Sequence, residues 1–84
     1  MTASLFSPIQ IGGAEIRNRL VVAPMCQYSA RDGVPSEWHH RHLGSLMISG
    51  AGLIMVESTA VSEMGRISQR DLVLETDKQE QGFR

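Results

Sequence analysis

Apolar positions near the start of the chain come in short pieces separated by turn formers: Leu5-Phe6, Pro8-Ile9 and Ile11, then Gly12-Gly13, then Ala14-Glu15-Ile16. Two short strands around a Gly-Gly turn fit this pattern, because glycine accepts the positive φ angles that two-residue hairpin loops need. The run Leu20 to Ala23 is apolar without alternation, the mark of a strand covered on both faces in a parallel sheet. Pro24 has no N–H to donate and ends that ladder. Loop punctuation follows over 27–36, with Asp32-Gly33 a turn pair and Ser36 a helix N-cap. Trp38, Leu43, Leu46 and Met47, with His42 between them, recur at three- and four-residue spacing. They predict a helix from Glu37 to Ser49, stopped by Gly50 and Gly52. Leu53-Ile54-Met55-Val56 is a second continuous apolar strand, and Glu57 to Val61 leave its C-terminal end.

From the first strand to the second this is one β-α-β unit of roughly 30 residues, so the strands are parallel and the crossover right-handed. Two such strands would leave unpaired edges and an uncovered apolar face. Thr76-Asp77-Lys78-Gln79 is a capping-box pattern that announces a further helix, of which about two turns precede Arg84. The pattern therefore predicts the opening part of a repeating β-α array, incomplete on its own, with the remainder on another chain or lost.

Composition narrows the class without changing this picture. Hydrophobic residues make up 42% and charged residues 20% of the 84, and a net charge of −1 gives no electrostatic reason to expect nucleic acid or an anionic membrane as partner. One cysteine cannot form an internal disulfide. The stretch Met1 to Pro8 lacks the basic and apolar regions of a secretory signal, and the run Leu53 to Val56 is far too short to span a bilayer. A cytoplasmic protein is expected.

Candidate chemistry concentrates in Asn18-Arg19-Leu20-Val21-Val22-Ala23-Pro24-Met25-Cys26-Gln27-Tyr28. Cys26 and Tyr28 stand two residues apart, and both project into the same small volume if the segment stays extended. A strand's C-terminal end is where parallel barrels and open parallel sheets carry their active sites. By spacing alone Cys26 reads equally well as a small buried hydrophobe, and no base near it in sequence would hold a thiolate. His39 and His42 share a helical face, but no cysteine or carboxylate cluster completes a metal site with them. Glu57, directly after four apolar residues, is expected to be partly buried and paired with an arginine, Arg66 being the candidate.

These residues also carry a resemblance. The run from Asn18 to Tyr28, then Trp38-His39-His40-Arg41-His42, then Gly52 to Val61 and Gly65-Arg66-Ile67 together resemble the N-terminal quarter of the Old Yellow Enzyme family of FMN-dependent ene-reductases. Cysteine after Pro-Met, where the yeast-type enzymes have threonine, looks like the thermophilic-like or xenobiotic-reductase branch. The resemblance implies an α/β fold, the N-terminal part of a (β/α)8 TIM barrel comprising a hairpin, strands one and two, and helix one. Residues 1–84 would then be the N-terminal segment of a single FMN-binding domain, since such barrels need roughly 250 residues.

What the resemblance implies for the site follows residue by residue. Cys26 would face the flavin and tune its reduction through a weak thiol hydrogen bond, and Tyr28 would meet the substrate without being the proton donor. Ala23, Pro24, Met25 and Ala60 would touch the ring through backbone and van der Waals contact. His39, His40 and His42 would pack, cap or meet solvent on the first helix; Trp38 would be core, with the loop before it bordering the site. Arg17, Asn18 and Arg19 would serve stability at the barrel's N-terminal end. The implied activity is reduction of the activated C=C bond of α,β-unsaturated carbonyl compounds, with FMN as cofactor and NADPH or NADH as hydride donor. The implied partners are the C-terminal remainder of the barrel, a small enone substrate and further copies of the complete enzyme, with no metal. The groups that hold the carbonyl and deliver the proton would lie beyond Arg84, so this chain alone is expected to catalyse nothing. Another FMN barrel oxidoreductase, such as a dienoyl thioester reductase, and a non-catalytic fragment that pairs through its sheet edge stay open beside this reading.

Overall fold

The computed structural model describes residues 4–84; Met1 to Ala3, the beginning of the segment read as no secretory signal, lie outside them. Strands β1 (Ile9–Ile11) and β2 (Ala14–Ile16) form the expected antiparallel hairpin, with Ile9 opposite Ile16 and Ile11 opposite Ala14. Gly12 takes φ +56° in the turn, which a glycine adopts at no steric cost.

Strand β3 (Val21–Val22), helix α1 (Glu37–Met47) and strand β4 (Leu53–Ile54) make the expected parallel β-α-β unit. Both strands are shorter than their apolar runs, because Pro24 removes the next donor from β3. Hydrogen bonds from Leu53 N–H to the Leu20 carbonyl and from Met55 N–H to the Val22 carbonyl extend the contact slightly at each end. Asn18 fastens the start of the unit: its Oδ1 accepts the N–H of Leu20 and of Gly52, and its Nδ2 donates to the Gly50 carbonyl at 2.7 Å.

Helix α1 differs from expectation in length and in what it buries. It stops at Met47, with Ser49 N–H closing a last turn onto the Leu46 carbonyl and Gly50 at φ +90°. Trp38 and Met47, counted on the apolar stripe, are 50% and 68% exposed, and the one buried residue of the helix is His39. The histidine sits inside here with Nδ1 hydrogen-bonded and Nε2 placed beside a buried carboxylate, as described below.

A second parallel pair was not legible in the pattern. Strand β5 (Thr59–Ala60) lies beside β6 (Leu72–Val73), with a 3-10 turn over Glu63–Gly65 between them. Leu72, Val73 and Ala30 are the buried apolar residues, so the described core sits under β6 and the 29–34 loop and not beneath the α1 stripe. Ala30 N–H donates to the Arg70 carbonyl and Val73 N–H to the Gly33 carbonyl. Helix α2 (Asp77–Gly82) begins with the expected capping box: Gln79 N–H donates to Thr76 Oγ1, and Gln79 Oε1 accepts the Thr76 N–H. The described residues form three two-stranded sheets and no closed barrel.

Candidate active site

Residues 23–28 leave β3 at its C-terminal end and pass the first turn of α1. Ala23 and Met25 line a gap of about 10 Å³ against His39, His42, Leu43 and Leu46. Pro24 and Cys26 are not among the residues lining it. The Cys26 thiol is free and half-buried. Tyr28 does not continue the extension. Its φ of +52° lies in the left-handed region, so the two-residue spacing that would have aimed Cys26 and Tyr28 at one volume breaks at Tyr28, and its ring is 53% exposed. Ala60 sits in β5, in the other parallel pair, where its carbonyl accepts the Leu74 N–H at 2.8 Å, and no hydrogen bond joins it to the strip.

Gln27 holds the strip in place. Its Nε2 donates back to the Met25 carbonyl at 2.9 Å, its Oε1 accepts from Trp38 Nε1 at 2.8 Å, and its carbonyl accepts from Ser29 Oγ at 2.9 Å. The Trp38 ring stacks on His42 with centroids 6.0 Å apart, which keeps its indole N–H on Gln27. Trp38 is therefore a half-exposed brace of the loop and not a core residue. An open cavity of about 830 Å³ lies beside it, lined by Ser29, Ala30, Arg31, Ser36 and Arg70 among others.

Glu57 is buried, as expected of a carboxylate after an apolar strand, but its partner is not Arg66. Glu57 Oε1 lies 2.9 Å from His39 Nε2, and Oε2 accepts the Gln27 N–H at 3.3 Å. Arg66 reaches Glu63 instead, at 3.8 Å. The β-α-β connection explains the exchange, since it lays the first turn of α1 over the end of β4, whereas Arg66 follows β5. His39 Nδ1 accepts the Ser36 N–H at 2.9 Å, so a neutral ring carries its proton on Nε2, which lies beside Glu57 Oε1 but is not aligned to hydrogen-bond it. Nδ1 is thus engaged, and Nε2 is buried against the Glu57 carboxylate. The expectation that His39 packs or caps holds, while its contact with Glu57 and the role of Gln27 were missed. The readable signal was that His39 occupies the third helical position after Ser36, where a capping-box partner reaches back.

The strip suits a flat ligand edged with hydrogen-bond acceptors. The Met25 and Cys26 N–H groups donate to no other described residue, and small Ala23, facing away, lets the main chain come close. A flavin ring carries acceptors of this kind along one edge, so the residues present fit the implied cofactor.

Comparison with known proteins bears on the same residues. Residues 4–84 match the NADH:flavin oxidoreductase / NADH oxidase family. An NADH:flavin oxidoreductase of Gibberella zeae is 49% identical over 78 residues, covering 93% of this chain and 19% of that protein. An NADPH dehydrogenase of a Geobacillus strain is 45% identical over 86 residues, covering 100% of this chain and 25% of that protein. The chain thus spans a quarter or less of these relatives. Among solved structures, morphinone reductase in complex with tetrahydroNAD superposes with a TM-score of 0.86 at 32% identity, over 98% of this chain and 22% of that one. The old yellow enzyme homologue from Zymomonas mobilis superposes with a TM-score of 0.85 at 32% identity, over 96% and 22%. These neighbours are TIM barrels, and the hairpin, β3, α1 and β4 described here are part of that fold. With the matched family spanning every described residue, the chain belongs to the NADH:flavin oxidoreductase / NADH oxidase family.

Proposed function

We propose that these residues form one wall of the FMN site in an NAD(P)H-dependent oxidoreductase that reduces the activated C=C bond of α,β-unsaturated carbonyl compounds. The observation that carries this reading is the strip itself: Ala23 and Met25 lie against α1, the Met25 and Cys26 N–H groups donate to no other described residue, and Gln27 hydrogen-bonds back to the Met25 carbonyl. The names of the relatives, NADPH dehydrogenase and morphinone reductase among them, support the same class. FMN, when bound, supplies the hydride chemistry between NADPH or NADH and the substrate.

This chain's own residues would bind and orient. The Cys26 thiol offers a weak donor toward the ring and so adjusts how readily it takes electrons. Ala23, Pro24, Met25 and Ala60 admit the ring by backbone and van der Waals contact. Tyr28, displaced outward by its left-handed backbone, offers its phenol O–H to bound substrate. The carbonyl-holding pair and the proton donor would come from elsewhere in a single FMN-binding barrel domain, of which residues 1–84 are the N-terminal segment. On the resemblance alone we assign the complete enzyme to the cytoplasm and to a homo-oligomer.

Anaerobic titration of the FMN-loaded enzyme that includes this segment tests the reading. The flavin spectrum should bleach with NADPH or NADH and return on addition of 2-cyclohexenone. Bleaching without recovery by enones would instead favour a different electron acceptor, such as a dienoyl thioester, and a protein that retains no flavin would overturn the proposal.

A further inference from the structure

The buried pair His39–Glu57 is not used by the chemistry proposed above, yet it touches the site's backbone. The two side chains are 4% and 3% exposed. A carboxylate withdrawn from water needs partners from the protein, and Glu57 has two: the Gln27 N–H, donated to Oε2, and the His39 ring, whose Nε2 lies 2.9 Å from Oε1 without the alignment of a hydrogen bond. His39 in turn is held by the Ser36 N–H on Nδ1, which leaves Nε2 to face Glu57. The chain of contacts runs from the N-terminus of α1, through the end of β4, to the peptide between Cys26 and Gln27. In a trans peptide the N–H and the preceding C=O lie in one plane and point in opposite directions. Anchoring Gln27 N–H therefore orients the Cys26 carbonyl and the backbone from which the thiol projects.

We infer that His39 and Glu57 are positioning residues: their buried polar contact sets the Glu57 carboxylate against the Gln27 N–H and thereby holds Cys26 in place against the flavin. This rests on the reading of Cys26 as flavin-facing. Losing the His39 contact leaves the carboxylate with one protein partner, and it then relaxes toward other donors or water and releases the Gln27 peptide.

Two substitutions at one position separate this role from simple stability. In His39→Asn the amide oxygen takes the place of Nδ1 and keeps the Ser36 contact, but no donor reaches Glu57. In His39→Gln the longer amide reaches Glu57 and the Ser36 contact is given up. Each is made in the FMN-loaded enzyme, with flavin content, thermal midpoint, flavin reduction potential and the rate of flavin reduction by NADPH as readouts. His39→Asn should shift the potential and change that rate on the order of tenfold with FMN still bound, as losses of supporting hydrogen bonds do elsewhere. His39→Gln should restore both while lowering the midpoint. In a Cys26→Ala background the His39→Asn shift should largely disappear, because the effect passes through Cys26. If His39→Asn does not fold, the isosteric Glu57→Gln replaces it: its amide opposes one of the two N–H groups and should give the same shift. Equal midpoints lost in both His39 variants with an unmoved potential would overturn the proposal, as would a shift of full size in the Cys26→Ala background. An unmoved potential in Cys26→Ala alone would mark a different failure, that of the flavin-facing reading, and would overturn the inference with it.

Discussion

Asn18 and Gly52 meet where the two strands of the β-α-β unit begin: Asn18 Oδ1 accepts the Gly52 N–H at 2.8 Å and the Leu20 N–H at 3.0 Å. A Cβ on Gly52 would lie 2.7 Å from the Asn18 carbonyl oxygen, so the approach that permits the hydrogen bond also requires glycine. Asn18→Ala should destabilise the complete enzyme by about 2 kcal/mol through two stranded N–H groups. Gly52→Ala should cost about 1–3 kcal/mol through backbone displacement. Denaturant midpoints check both, and a change at either position within error of zero would show that the strands are registered by something else.

Gly33 offers a sharper comparison with Gly12. Both have positive φ, at +77° and +56°, but a Cβ on Gly33 would lie 2.7 Å from Val73 Cβ while one on Gly12 would meet nothing within 4 Å. Gly12→Ala should therefore cost only the left-handed backbone term, about 1 kcal/mol. Gly33→Ala should cost more than about twice that, since overpacking against the core adds to it. Thermal unfolding of the two variants side by side decides the ordering.

Gln79 is a third stability site, because one buried amide serves three backbone groups. Its Oε1 accepts the N–H of Glu75 at 2.8 Å and of Thr76 at 3.0 Å, and its Nε2 donates to the Asp32 carbonyl at 3.1 Å. Gln79→Ala should cost about 2–3 kcal/mol. Thr76→Ala removes a single capping bond and should cost about 1 kcal/mol. Glu, which lacks the amide donor, should fall between wild type and Ala at position 79.

Cys26 is the direct test of the cofactor wall. Cys26→Ala and Cys26→Thr in the FMN-loaded enzyme should alter the flavin potential and both half-reaction rates while FMN stays bound, measured by spectroelectrochemistry and stopped flow. Thr supplies an O–H donor where Ala supplies none, so the two should shift the potential by different amounts. Loss of FMN, or an unchanged potential, would count against a tuning role.

Much of this is readable in the sequence. The Gly12-Gly13 hairpin and the Thr76–Gln79 box depend on residues close together in the chain and appear where expected, and the parallel pair around α1 follows from the two apolar runs flanking one helix, with strands shorter than those runs. The β5–β6 pair escaped because two-residue strands carry no period. Trp38 was misjudged because its partner, Gln27, lies eleven positions away across a loop.

Sequence alone thus determined local structure and the location of the candidate chemistry at the end of β3, since propensity, turn chemistry and the missing proline N–H act within a few residues. Only tertiary structure decided how that segment is held. Glu57 needed a partner, and several cations stood available in the sequence; the β-α-β connection brought His39 to it and sent Arg66 elsewhere. The choice was made by proximity in space, because a buried carboxylate takes whichever partner the fold delivers to it.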